Sequence, residues 1–175
     1  MKLHLGCGKR DFGSEWIHID KDDYPHVIYN SVIALPFAND TAELIYASHL
    51  FEYFDREEAK QILAEWYRVL KPGGILRLAV PDFKALCKLY VEGHGLDKLL
   101  GPLYGKFGDP SVYHKTCYDF DSLAVILEAG GFTSVSKYDW RSTEHSHIDD
   151  HSQAYFPHMD KENGMLISLN VEAVK

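Results

Sequence analysis

Leu3-His4-Leu5-Gly6-Cys7-Gly8 decides the fold, together with Trp16-Ile17-His18-Ile19-Asp20 a short way downstream. The first is an apolar run that ends on a glycine turn. Small residues there let a backbone approach a ligand closely and leave N–H groups facing its polar atoms. The second alternates and ends on a carboxylate, which reads as a strand with an acid at its carboxyl end. An acid in that place can take both hydroxyls of a ribose. Taken singly, the features fit equally well a pair of turn glycines and a strand-end Asp that caps local N–H groups. About nine residues separate the two strands, fewer than the dozen or more that a parallel crossover usually takes. The spacing predicts a crossover helix cut to about one turn, or a loop over 9–15 that crosses alone.

Working outward, His26-Val27-Ile28-Tyr29 is a third strand and Glu43-Leu44-Ile45-Tyr46-Ala47 a buried fourth. Asp55 with Glu58 has capping-box spacing, and Ile62, Leu63, Trp66, Val69 and Leu70 recur at helical intervals behind it. Lys71-Pro72-Gly73-Gly74 stops that helix. A central strand over 75–80 ends on Pro81-Asp82, and 83–91 reads as helix. Gly93, Gly95, Gly101, Pro102, Gly105, Gly108 and Pro110 predict loop or lid rather than a core layer. Asp119 caps a helix to Ala129, ended by Gly130-Gly131, and strands follow over 135–140 and 165–174. The alternation predicts a mostly parallel sheet between helix layers, with the last two strands as an antiparallel edge.

The 175 residues suit one domain over 1–175. Lys and Arg number 18 against 26 Asp and Glu, a formal charge of −8, so no broad electrostatic grip on nucleic acid or anionic lipid is expected. Three irregularly spaced cysteines form no disulfide framework, which points to a reducing compartment. The first residues lack a signal-peptide core, and no apolar run reaches the ~20 residues of a membrane span. The expectation is a cytoplasmic protein with no membrane span and no nucleic-acid partner. A P-loop is absent, and the dinucleotide fingerprint is broken by Asp11.

Together these blocks resemble the class I S-adenosylmethionine-dependent methyltransferases, in a short bacterial-type form. The likeness rests on Leu3 to Gly8, Trp16 to Asp20, Leu35-Pro36-Phe37, Ala47-Ser48-His49-Leu50-Phe51-Glu52, Arg68-Val69-Leu70-Lys71-Pro72-Gly73-Gly74 and Val80-Pro81-Asp82, in family order. It weakens through His114-Lys115, Asp119 to Phe132 and the final strand. The resemblance implies a Rossmann-like three-layer α/β sandwich with a mostly parallel seven-stranded sheet. It also implies S-adenosylmethionine as cofactor, with Gly6, Cys7 and Gly8 beside the methionine portion, Asp20 on the ribose, Asn30, Ser31 and Val32 near adenine, and Ser48 at the methyl end.

Three departures stand out. His4 replaces an acid, Arg10 replaces the third glycine, and the first crossover is short with no helix before strand one. They suggest an open substrate side, or one completed by a second copy of the chain as a homo-oligomer. Methyl transfer needs mainly alignment, plus a base for an oxygen or nitrogen acceptor. The candidates are His49, with Glu52 to orient it, then Asp82 and His114. For His49 a packed strand-end histidine is the competing reading, and for Asp82 a helix N-cap. His145, His147, Asp149, Asp150, His151 and His158 carry metal-binding groups, and alternation would align His145, His147, Asp149 and His151. With no cysteine or second cluster to complete a set, no metal is assigned, and a solvated connection or lid is preferred. Segments 93–118 and 141–164 are the candidate cover over a small-molecule or glycan-precursor acceptor. Similar short methyltransferases are often associated with cell-surface polysaccharide pathways. The alternative function is a non-catalytic S-adenosylmethionine-binding module, motivated by His4 and the short crossover.

Overall fold

A computed structural model of the protein describes residues 1–106, 108 and 112–175. Pro110, one of the predicted breakers, and part of the 93–118 segment lie outside the described residues. Seven strands form one sheet: β1 (Lys2–Leu5), β2 (Trp16–Ile19), β3 (Val27–Tyr29), β4 (Ala42–Ser48), β5 (Leu70–Pro81), β6 (Thr133–Lys137) and β9 (Ser168–Val174). Their order across the sheet is β3-β2-β1-β4-β5-β9-β6. Strands β1 to β5 run parallel, and β9 is antiparallel to both β5 and β6, so the antiparallel edge is present. A two-stranded ribbon, β7 (Tyr155–Phe156) with β8 (Met165–Leu166), stands apart.

One sheet face carries the apolar core. Leu3 and Leu5 of β1, Ile45 and Ala47 of β4, and Leu76 and Leu78 of β5 point into it, as period-two alternation requires. Helix α1 (Arg56–Val69) covers this face with Ile62, Leu63 and Trp66, and α4 (Phe120–Ala129) with Leu123 and Leu127. Asp55 forms the expected capping box with Glu58, accepting from the N–H groups of Glu57 and Glu58. Fully buried apolar side chains of this kind each contribute about 1.5–3 kcal/mol.

The opposite face is covered differently. No helix links β1 to β2; the loop crosses alone and drops Phe12 onto the sheet. Phe12 stacks on His4 at 4.0 Å and on His145 at 4.5 Å between ring centroids, with Trp16 and Tyr46 packed at its edges. His18 Nε2 accepts the Phe12 N–H at 2.8 Å. From the other side the chain after β6 folds back over the sheet. Thr143, His145, Asp150, Ser152 and Gln153 are all buried, and the Tyr46 hydroxyl donates to Asp150. Irregular chain therefore takes the place of a helix layer here. Burial pushes His4 well below the usual histidine range, helped by neighbouring imidazoles, and takes His145 down to about 4. Both rings are neutral at pH 7, which is how they pack as aromatic surface.

Three local expectations change. Residues 96–104 are helix α3 (Leu96–Tyr104) despite Gly101 and Pro102. Pro102 removes one intrahelical bond. Leu99 is nonetheless buried against Leu86 and Leu89 of α2 (Phe83–Val91), with Leu103 one turn further on, and that burial outweighs the loss. Strand β6 ends before Trp140, because Asp139 caps a 3-10 turn over Trp140–Ser142. The run 165–174 splits at Ile167, whose N–H turns aside to Ala154 O, so β8 pairs with β7 and only β9 enters the sheet. No helix among the described residues is long and apolar enough to cross a membrane.

Candidate functional site

The chain steps from β1 to β2 and β3 in one direction, then returns to β4 and β5 on the other side of β1. The carboxyl ends of β1 and β4 therefore flank a topological switch point, the place where open α/β sheets leave a crevice for ligands. A cavity of about 400 Å³ opens there. Gly6 and Gly8 line it after β1, Asp20 after β2, and Ser48 and His49 at the end of β4. The loop after β3 adds Asn30, Ser31 and Val32.

The turn after β1 is held from both sides. Gly6 has φ +63, and a Cβ there would lie 3.0 Å from Leu50, so glycine is needed for both backbone and space. Gly8 has φ +54 and donates its N–H to Asp20 Oδ2 at 2.7 Å. Asp20 Oδ1 accepts from Asp22 N at 2.9 Å. The carboxylate thus fixes the turn and keeps lone pairs for a ligand. Helix α1 positions the loop beyond β3: Trp66 Nε1 donates to Val32 O at 2.8 Å, and Arg68 reaches Phe37 O and Leu35 O. The helix that fills the core therefore also sets one cavity wall.

Cys7 does not line the cavity. Its side chain is fully buried with Sγ 3.8 Å from His26 Nε2, and burial and Asp20 push the thiol up to about 12. The alternating positions of a turn send neighbours in opposite directions, so Cys7 points inward while Gly6 and Gly8 face out. Arg10, Ile33, Leu50, Tyr53, Phe54 and His151 also line the cavity, and motif spacing did not mark them as donor contacts. Arg10 was visible only as a missing glycine; Nε donates to Asp149 O at 3.0 Å, which anchors the side chain there. The Ser48 hydroxyl is buried without a partner in the same wall.

A second cavity of about 330 Å³ adjoins the first and shares His49, Tyr53 and His151 with it. His114, Lys106 and Ile167 also line it. His49 and His114 thus come together, with Glu52 between them: Glu52 Oε1 is 3.6 Å from His49 Nδ1 and 3.8 Å from His114 Nε2. His49 sits at φ +50, a costly backbone for a side chain of this kind. Desolvation, then His151 and His114, hold His49 well below the ordinary histidine value. Burial likewise lowers His114 and His151. It pushes Glu52 up to about 8. At neutral pH the site holds neutral imidazoles and a protonated carboxyl.

Asp82 is not part of this group. It lines neither cavity, and its carboxylate accepts from Lys84 N and Ala85 N as the N-cap of α2. The histidine-rich stretch does not run as one extended strand, so its side chains separate. His145 enters the sheet face, His151 enters the cavities, and Asp149 pairs with Lys161 at the surface. Among the described residues no group of three or more His, Cys, Asp or Glu could hold a metal ion.

Residues 11–78 match the family described as methyltransferase domain. A ubiquinone/menaquinone biosynthesis C-methyltransferase of Klebsiella pneumoniae is 35% identical over 116 residues, 61% of this chain and 45% of that protein. A malonyl-[acyl-carrier protein] O-methyltransferase of Coxiella burnetii is 39% identical over 64 residues, 35% of this chain and 22% of that protein. The chain thus spans about half the length, or less, of these curated relatives. Among solved structures, a SAM-dependent methyltransferase from Archaeoglobus fulgidus superposes with TM-score 0.61 at 19% identity, over 99% of this chain and 85% of its own. A Burkholderia thailandensis 1,6-didemethyltoxoflavin-N1-methyltransferase gives TM-score 0.61 at 13% identity, over 99% and 70%. These structural likenesses concern the fold.

Proposed function

We propose that this chain carries a class I S-adenosylmethionine-dependent methyltransferase domain that methylates a small molecule or glycan precursor seated in the second cavity. The observation that carries the reading is the cavity at the switch point, with Gly8 and Asp20 joined at 2.7 Å in its wall. The lining fits the donor. Asp20 keeps acceptors for ribose hydroxyls, Val32, Ile33 and Phe54 offer an apolar wall for adenine, and Arg10 supplies a cation for the amino-acid carboxylate. Ser48, with its unpartnered hydroxyl, faces the same space. When bound, the donor supplies an electrophilic methyl group on a sulfonium.

The chain's own residues then align the acceptor and accept its proton. His49 borders both cavities and is neutral, so it can act as the base. Tyr53, His114 and Lys106 give the acceptor polar contacts, and Ile167 and Pro102 an apolar floor. Pro102, Lys106 and His114 from the first candidate cover segment, and His151 and Ala154 from the second, line the acceptor space.

Calorimetry with S-adenosylhomocysteine tests the donor assignment. Asp20→Ala should weaken binding roughly ten- to a hundredfold, the equivalent of about 1.5–3 kcal/mol for a hydrogen bond to a charged group. Unchanged affinity removes Asp20 from the site. Methyl turnover on supplied acceptors separates an enzyme from a binding module.

A further inference from the structure

Glu52 is 1% exposed, and neither carboxyl oxygen has a hydrogen-bond partner. A buried polar group left unpaired costs several kcal/mol, so its surroundings should say which form they tolerate. The two facing histidines say it. His114 Nδ1 lies 3.0 Å from Pro102 O, which can only accept; the proton therefore sits on Nδ1, and Nε2 faces Glu52 bare. Ser168 Oγ donates to Asn170 Oδ1 at 2.9 Å, and Asn170 Nδ2 donates to Ser152 O at 2.9 Å. The Ser168 oxygen is then left to accept from His49 Nε2 at 3.2 Å, so His49 Nδ1 also faces Glu52 bare.

Two bare ring nitrogens thus converge on one carboxyl oxygen, 3.6 and 3.8 Å away. Lone pairs facing lone pairs repel a carboxylate and suit a carboxylic acid. Tyr53, Cys117 and Tyr118 near Glu52 are all raised and neutral, and the Lys115 ammonium is engaged by Glu58 at 2.8 Å rather than by Glu52. The Glu52 carbonyl accepts from the N–H groups of Lys115 and Thr116 at 2.8 and 3.2 Å, which ties the exit of β4 to the segment bearing His114.

We propose that Glu52 is a positioning residue kept as the neutral acid, whose proton engages His114 Nε2 and leaves His49 Nδ1 as the bare base for the acceptor. The assignment rests on the methyltransferase reading above. In the step, the acceptor's X–H proton goes to His49 Nδ1 and the X electron pair goes to the methyl carbon. The pair of the old C–S bond stays on sulfur. The positive charge lost from sulfur reappears on the imidazolium, so net charge is conserved. Ionisation of Glu52 would trap that imidazolium proton and take His49 out of service as a base.

The test compares the native chain with Glu52→Gln, whose amide donates without titrating. Nitrogen-15 NMR of the free protein should show His114 protonated at Nδ1 and His49 at Nε2. A carbon-13 titration should show the Glu52 carboxyl neutral at pH 7 and ionising near pH 8. With a turned-over acceptor, kcat of the native chain should fall about tenfold from pH 7 to pH 9, as expected for a group titrating midway between them. E52Q should lose that alkaline limb. An ionised Glu52 at pH 7, reversed tautomers, or the same limb in both proteins would overturn the proposal. The NMR readouts need no acceptor, so they fail or succeed separately from methyl transfer itself.

Discussion

His145→Phe tests whether the chain after β6 is fixed interior or open cover. His145 stacks on Phe12 and is 2% exposed, with Arg77 Nη1 3.5 Å from Nε2 and Nδ1 unpartnered. Desolvation is the main cause of its lowered value of about 4; Arg77 adds to it, while Asp150 and Glu144 oppose it. A histidine depressed from 6.5 to about 4 makes the unfolded chain bind more protons between those values. Its contribution is present above pH 6.5 and is lost as the pH falls toward 4. At pH 4.5 the loss comes to roughly 2–3 kcal/mol, since each tenfold difference in proton affinity between the folded and unfolded chain is worth ~1.4 kcal/mol. Phenylalanine keeps the stack, removes the orphan nitrogen and cannot titrate, so at pH 7.5 the two proteins should agree within about 1 kcal/mol. Urea unfolding at pH 7.5 and 4.5 gives the comparison. The native chain should lose roughly 2–3 kcal/mol more than the variant; His18 acts alike in both, and His4, which loses the His145 neighbour in the variant, is still held down chiefly by its own burial. Equal losses would mean that His145 meets water, and the account of this face as packed interior would be wrong.

Gly8→Val should abolish binding of the donor product while the circular dichroism spectrum persists, because φ +54 strains a β-branched residue whose side chain also enters the cavity. A folded variant that binds normally would place the donor elsewhere. Asp82→Ala should cost about 1 kcal/mol through loss of the α2 N-cap, measured by urea unfolding. A loss of methyl transfer exceeding tenfold in a well-folded Asp82→Ala would return that residue to the chemistry.

Local rules carried far in this chain. The Gly6-Cys7-Gly8 turn, the Asp20 strand end, the Asp55–Glu58 capping box and the strand over 75–80 all follow from neighbours in sequence, whereas the start of β5 at Leu70, through the residues read as the helix stop, does not. The first five strands alternate or run apolar for the same reason, while their order across the sheet came from the fold. Local rules misread α3, because its Gly101 and Pro102 are judged against an isolated helix while α2 compensates by burying Leu99. They left Asp82 open between cap and catalyst, since both need a carboxylate after a strand, and only the position of the cavities separates them.

Tertiary structure decided what covers the second sheet face and where protons sit. A helix was missing after β1, but nothing in residues 9–15 says that Phe12 would be clamped between His4 and a histidine from beyond β6. Glu52 and His49 are near in sequence, whereas His114 joins them only through the fold, held there by backbone bonds from the following Lys115 and Thr116 to Glu52. Burial and partner geometry set the protonation of a carboxyl or an imidazole, and both are properties of the assembled interior. Residue type supplies the titratable group; only the packing around Glu52, His49 and His114 determines the form in which each one stands ready.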